Sequence, residues 1–192
     1  MTIVMDRNLS EDQIWLIQMK NDNQKAFDAL FVKYYPGLIR FSKSMLKSAQ
    51  DEAEDVVQDV FLKLWQDRQN LFIHTGLGSF LFTAVKNKAL DFLRKNSLPA
   101  YDPMELIDDQ QSAPYLAPDQ LLIYKQLNVD IDQMISLLPE RSQLVFRMNR
   151  EDQLTYEEIA RLLGIAVNSV KTHMYRSIKF LKEVFEQYNS LT

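Results

Sequence analysis

Residues 154–182 read LTYEEIARLLGIAVNSVKTHMYRSIKFLK, and this stretch decides the fold of its part of the chain. Thr155 stands three positions before Glu158, the spacing of a capping box, in which each side chain satisfies a backbone N–H left open at a helix start. Leu154 and Ile159 occupy the positions that staple such a start, so a helix is expected from Tyr156. Ile159, Leu162 and Leu163 form its apolar stripe, and Ala160 is small where a second helix would pass close by. Gly164 ends it, because glycine takes left-handed backbone without a Cβ clash. A second helix is expected from Val167, with Val167, Val170, Met174, Ile178 and Leu181 facing inward. Its other positions are Asn168, Ser169, Lys171, Thr172, His173, Tyr175, Arg176, Lys179 and Lys182, and no acid occurs between Ile165 and Lys182.

Two helices joined by a short glycine turn make a helix-turn-helix, and the outer face of the second carries side chains that reach phosphates and base edges in a major groove. A helical hairpin with a solvated basic face would show the same charge run. The coincidence of capping box, small residue, glycine and a one-signed second helix favours DNA binding.

Upstream of this motif the pattern is helical throughout. Ser10 with Gln13 forms another capping box, with Leu9 and Ile14 as staple, opening a helix through Met19 that NDN at 21–23 breaks. A second helix carries Phe27, Leu30, Phe31 and Tyr34 and is expected to stop before Pro36, which starts the next, PGLIRFSKSML. Ser48 is the expected cap of a helix whose first turns hold Asp51, Glu52, Glu54 and Asp55, where negative charge complements the helix dipole. Val56, Val60 and Leu64, with Val57 and Phe61, continue it to Trp65. Gly76, Gly78 and Ser79 mark a loop and restart, after which Phe80, Leu81, Ala84, Val85, Leu90 and Leu93 run helically to Asn96.

From Pro99 to Pro118 four prolines, several acids and no sustained periodicity read as a flexible acidic linker. Beyond it Leu121, Tyr124, Leu127, Ile131, Met134 and Leu138 form a helical stripe, and Pro139 begins a helix leading to Leu144, Val145 and Met148. The fold class is therefore all-α: a helical domain at 10–97, a linker at 98–118 and a second helical domain at 119–187.

The 192 residues, 46% hydrophobic, suffice for two small cores. No run of eighteen apolar residues occurs, and the opening MTIVMDRNLSEDQ lacks a basic stretch followed by an apolar one, so neither membrane insertion nor export is expected and the chain is placed in the cytoplasm. With no cysteine and two distant histidines, His74 and His173, no disulfide, metal or other cofactor is assigned. The net charge of −4 argues against bulk coating of nucleic acid. Acid collects at 51–59 and 102–132, and base at 86–95 and 171–182, so weak binding to free DNA and dependence on a partner are expected.

Taken in order, these segments resemble a sigma factor of bacterial RNA polymerase, in the small two-domain extracytoplasmic-function group of the sigma-70 family. FDALFVKYYPGLIRFS resembles the first conserved region, DEAEDVVQDVFLKLW the core-polymerase-binding region, and GSFLFTAVKNKALDFLRK the promoter-melting and minus-ten region. LPERSQLVF followed by residues 154–182 resembles the minus-thirty-five-binding region. The family usually has Ser or Thr at the cap of the recognition helix, where this chain has Ala166.

The resemblance implies core RNA polymerase, promoter DNA and an anti-sigma factor as partners, and no enzymatic activity. It assigns polymerase contact to Asp55, Gln58, Asp59 and Leu62, with Phe61 and Trp65 weighed as core instead. It assigns the minus-ten element to Lys86, Asn87, Lys88, Arg94 and Lys95. The minus-thirty-five element falls to Asn168, Ser169, Lys171, Thr172, Tyr175, Arg176 and Lys179. The loop at 70–78 resembles one that receives a flipped base; Phe72 and His74 are its candidates, with surface packing as the equal alternative.

Two other readings stay open at this point. A stand-alone helix-turn-helix regulator would bind its site without polymerase, typically as a dimer on a palindrome. An all-helical magnesium-dependent nucleotide pyrophosphatase would use Glu52, Asp55 and Asp59, but needs a second carboxylate pair on a facing helix. The nearest candidates, Glu105 and Asp108, lie in the proline-rich stretch.

Overall fold

The computed structural model describes residues 9–73, 76–99 and 131–189, which fall in two compact units, 9–99 within the first and 131–189 within the second. The bulk of the expected linker and the stripe from Leu121 to Leu127 lie outside the described residues. Among those described, every regular element is a helix.

The first unit contains α1 (Glu11–Lys20), α2 (Gln24–Met45), α3 (Ala53–Gln66) and α4 (Leu77–Lys95). The Ser10–Gln13 capping box is formed, and Asn23 caps α2 by accepting from the Ala26 N–H. Tyr34 Oη and Lys33 Nζ both donate to Asp12, at 2.5 and 2.6 Å, and so bind α2 to α1. Helix α2 packs against each of the other three, and Leu30, Leu38, Phe41, Phe61, Leu81 and Phe82 are almost wholly buried between them. Aromatic rings knit the interface: Phe27 meets Phe61 edge-on at 6.1 Å, Phe31 lies 4.7 Å from Phe61, and Phe41 lies 5.4 Å from Phe82. Such pairs contribute about 0.5–1.5 kcal/mol each beyond the area they bury.

Three expectations need correcting here. Pro36 does not end a helix; α2 runs through it. The carbonyl that proline deprives of a donor is that of Val32, which is 73% exposed, so the loss falls on the solvent side. Ser48 is not a cap either. A 3₁₀ turn, Gln50–Glu52, precedes α3, and neither start has a side-chain cap. Gly78 and Ser79 are not loop but the buried first turn of α4, with Gly76 alone at its cap.

The second unit contains α5 (Ile131–Ser136), α6 (Glu140–Arg150), α7 (Tyr156–Leu163) and α8 (Val167–Asn189). Gln143 Nε2 donates to the carbonyls of Ser136 and Leu138, closing the α5–α6 turn. Arg147 bridges Asp132 at 2.8 Å and Glu151 at 2.5 Å. Burial works against its charge, but the hydrogen bonds and attraction from those two carboxylates prevail and hold its pKa above the usual arginine value. Met134, Ile135 and Leu138 are buried, whereas Ile131, one turn ahead of them, is 72% exposed and leaves the expected stripe.

Helices α7 and α8 form the expected motif. The Thr155–Glu158 capping box is complete, and Gly164 adopts φ 71°, ψ 29°. The inward line of α8 differs from expectation: it runs Val170, Met174, Ser177, Val184, and Ile178 is 44% exposed. At 3.6 residues per turn, position 177 lies within about 20° of both 170 and 184, whereas 178 lies about 80° from 170 and about 120° from 184.

Candidate functional site

Three surfaces carry the residues expected to act. On α3, Asp55, Gln58, Asp59 and Leu62 are spaced i, i+3, i+4, i+7, so helical geometry alone sets them on one face. All four are exposed, with Leu62 at 54%, while Val56, Val57, Val60, Phe61 and Leu64 are buried on the opposite side. Phe61 is thus core. Trp65 is half-buried, tilted against Phe27 at 5.1 Å and covered by the Arg68 guanidinium at 4.3 Å, which makes it packing rather than a free anchor. The face combines two carboxylates, Asp55 and Asp59, with one large apolar side chain, an arrangement suited to a partner presenting cations around an apolar patch.

On α4, Asn87, Lys88, Arg94 and Lys95 are exposed and Lys86 is half-buried. Burial pushes the Lys86 pKa down. Asn87 and Arg94 share one helix face; Lys88 and Lys95 share the next. Arg94 pairs with Asp91 on its own helix, and Asn87, Leu90, Asp91, Leu93, Arg94 and Leu98 line an open concavity of 480 Å³. Lys88 does not stand alone: its Nζ lies 2.7 Å from Asp59 Oδ2 on α3. The acidic face of α3 and the basic face of α4 are therefore contiguous, a juxtaposition the linear sequence did not reveal.

On α8, Asn168, Lys171, Thr172, Tyr175, Arg176 and Lys179 are exposed on the side away from Val170, Met174 and Ser177, and Ser169 lies half-buried at its edge. Tyr175, 70% exposed, is the largest ring on this face. Thr172 Oγ1 already donates to the Asn168 carbonyl, so toward a ligand its hydroxyl offers an acceptor. Ala166 has no capping side chain, and its carbonyl accepts the N–H groups of Ser169 and Val170. Lys179 and Lys182 face Glu183 and Glu186 at 3.9 and 3.6 Å, so net positive charge is concentrated toward the N-terminal half of the helix. His173, half-buried, places Nδ1 3.0 Å from Ser142 Oγ on α6.

Of the loop candidates, Phe72 is 81% exposed and His74 lies outside the described residues. Sequence reasoning missed what fastens this loop. Lys20, at the end of α1, donates from Nζ to the Leu71 carbonyl at 2.5 Å and sits 5.1 Å above the Phe72 ring. No local signal could have found a contact between residues 51 positions apart.

Among the described residues no helix is long and apolar enough to cross a membrane, and no group of three or more His, Cys, Asp or Glu is arranged to hold a metal ion.

Comparison with known proteins bears on both units. The family model Sigma-70 region 2 matches residues 30–98, and Sigma-70, region 4 matches residues 128–181, together well over half of the chain. The chain is 25% identical over 173 residues to the ECF RNA polymerase sigma factor SigW of Bacillus subtilis, covering 86% of this chain and 92% of that one. It is 29% identical over 155 residues to the ferric citrate uptake sigma factor FecI of Escherichia coli, covering 80% and 87%. A solved structure, the sigma factor RpoE in complex with the anti-sigma factor NepR from Bartonella quintana, aligns with a TM-score of 0.45 at 24% identity, over 84% of this chain and 98% of that one.

Proposed function

The chain belongs to the extracytoplasmic-function group of the sigma-70 family, and from that premise we propose how its residues bind core RNA polymerase and direct it to particular promoters. The observation that carries this reading is the ordered pair of matches, region 2 on a unit with an exposed acidic face on α3 and a basic one on α4, then region 4 on a unit whose α8 exposes a basic face.

In this reading the face of Asp55, Gln58, Asp59 and Leu62 docks on the polymerase, the carboxylates meeting cations and Leu62 entering an apolar contact. Lys86, Lys88, Arg94 and Lys95 hold phosphates of the opened minus-ten strand, and the Asn87 amide reads a base edge. Helix α8 enters the major groove of the minus-thirty-five element. Lys171 and Arg176 are the candidates for guanine or phosphate, and Asn168, Ser169, Thr172, Tyr175 and Lys179 complete the contact surface. Bond making belongs to the polymerase; this chain supplies selection.

A tether between two weak DNA-binding units raises the effective concentration of the second once the first has engaged, so neither needs high affinity alone. Net acidity is compatible with that economy, since it limits attachment to non-specific DNA. An anti-sigma factor is the inhibitory partner in this scheme, and the cytoplasm the place of action.

The test is reconstituted transcription of a genomic fragment library by core polymerase with and without the purified chain. New start sites sharing two spaced elements are expected. Identical start sites in both reactions, with no association between chain and polymerase, would overturn the reading. Specific binding to DNA without polymerase would favour a stand-alone regulator.

A further inference from the structure

Asp59 and Lys88 belong to two surfaces that the proposed function sends to partners of opposite charge, yet in the free chain each is the other's partner, at 2.7 Å between Oδ2 and Nζ. Their neighbours are engaged elsewhere. Asp91, one turn on from Lys88, pairs with Arg94 on the same helix. Lys63, one turn on from Asp59, pairs with Asp67 at 2.9 Å, again within its own helix. Asp59 and Lys88 instead reach across from α3 to α4.

The contact is made by side chains alone. Helices α3 and α4 pack against each other, with Val56 and Val60 of the one and Leu81 and Val85 of the other buried, so the two backbones are fixed. Asp59 and Lys88 stand at the rim, 53% and 46% exposed, and the lysine stem is long and flexible. A change of partner therefore needs rotation about side-chain bonds and no rearrangement of the fold.

Charge decides what such a change does. An ammonium has donors to spare beyond the one that meets Asp59, so the acid does not block a phosphate by occupying them. What it withholds is charge, because a carboxylate in contact cancels much of the attraction that Lys88 would exert on a phosphate. A cation brought to Asp59 by a partner would cancel the carboxylate instead and return that attraction. The converse holds as well, since a phosphate on Lys88 returns the charge of Asp59 to its own partner.

We infer that Asp59 is a shared contact: it masks Lys88 in the free chain and yields to a cation of the polymerase, so that polymerase and the opened promoter strand strengthen each other's binding. The inference rests on the sigma-factor reading and adds to it a link between the two partners. Water screens an exposed pair, so the mutual gain is up to about fivefold, and equal in both directions.

The experiment measures binding of the full chain to core polymerase, and of the free chain to a labelled oligonucleotide carrying the non-template strand of a promoter that the holoenzyme transcribes. For the holoenzyme the same strand is presented in a fork-junction DNA. In the free chain, Asp59→Asn should tighten the oligonucleotide by up to about fivefold, and this gain should vanish when Lys88→Met is also present. Lys88→Met alone should cost the free chain little and the holoenzyme about fivefold, and should tighten association with polymerase by a similar factor. An equal gain from Asp59→Asn with and without Lys88 would mean that the acid acts only through bulk charge, and would overturn the inference. So would an equal loss from Lys88→Met in free chain and holoenzyme, or a polymerase affinity that Lys88→Met leaves unaltered. Both side chains lie at the rim, so neither substitution disturbs the core. If the unmodified chain does not associate with polymerase, the sigma-factor reading itself fails; association with additive effects of the two substitutions refutes only this inference.

Discussion

Lys88 Nζ on α4 lies 2.7 Å from Asp59 Oδ2 on α3, joining the helix proposed to meet polymerase to the helix proposed to follow the opened strand. Both side chains are about half exposed, at 46% and 53%, so water screens the pair and it is weak enough to be exchanged for other partners. Exchange at one end would release the other. A double-mutant cycle of Asp59→Asn and Lys88→Met in the free chain is expected to give a coupling of no more than about 1 kcal/mol by chemical unfolding.

Because Asp55 and Asp59 share an exposed face, Asp55→Ala with Asp59→Ala should weaken association with core polymerase while the melting midpoint stays near that of the unmodified chain. Lys88→Met, which frees Asp59, should leave that association no weaker and reduce affinity for fork-junction DNA. Unimpaired co-purification of the double variant with polymerase would remove α3 from the interface.

The helix-turn-helix depends on local terms that can be measured separately. Thr155→Ala should cost about 1 kcal/mol through loss of the cap. Gly164→Ala should cost roughly 1–2 kcal/mol, because alanine at φ 71° carries the left-handed penalty. Both tryptophans, Trp15 and Trp65, belong to the first unit, so circular dichroism should register the loss and tryptophan fluorescence should not. A matching shift in fluorescence would mean that the two units unfold as one.

Arg176→Ala separates reading from holding. If its guanidinium contacts a base edge, preference at a single promoter position should relax by about 1–3 kcal/mol in a scan of promoter variants. Lys182, already facing Glu186 at 3.6 Å, should on replacement by alanine produce a small loss spread evenly over all sequences.

Burial lowers the Lys86 pKa, which means that folding penalises the charged ammonium. Below the folded-state pKa both states are protonated and the penalty is fully present. As pH rises from there toward the ordinary lysine range, the folded chain releases its proton first, and this residue's contribution to stability improves. Lys86→Met should therefore keep or raise the melting midpoint at neutral pH, flatten that alkaline gain, and reduce affinity for fork-junction DNA. A lower midpoint would show that the charge stabilises the fold.

What could be read from the sequence was what short spacing controls. Thr155 with Glu158, Ser10 with Gln13, and Gly164 announce their structures because each depends on partners within a turn or on its own backbone. The outward face of α3 followed from periodicity in the same way. Pro36 misled because its effect depends on whether the orphaned carbonyl faces solvent, which only the packed unit decides. Ile178 misled because hydrophobicity was given more weight than phase, and Ser177 occupies the inner line despite its hydroxyl. Asp59 with Lys88 and Lys20 with Phe72 were not legible at all, since each pair forms only when segments distant in sequence are brought together.

The bond between His173 on α8 and Ser142 on α6 limits one freedom of the DNA-facing helix: rolling about its long axis. Together with the buried Val170, Met174 and Ser177, this flank contact opposes any roll that would offer a new set of side chains when the promoter changes. Drift in the recognised sequence would then have to proceed by replacing residues on the face already presented, one at a time, with the bearing left in place.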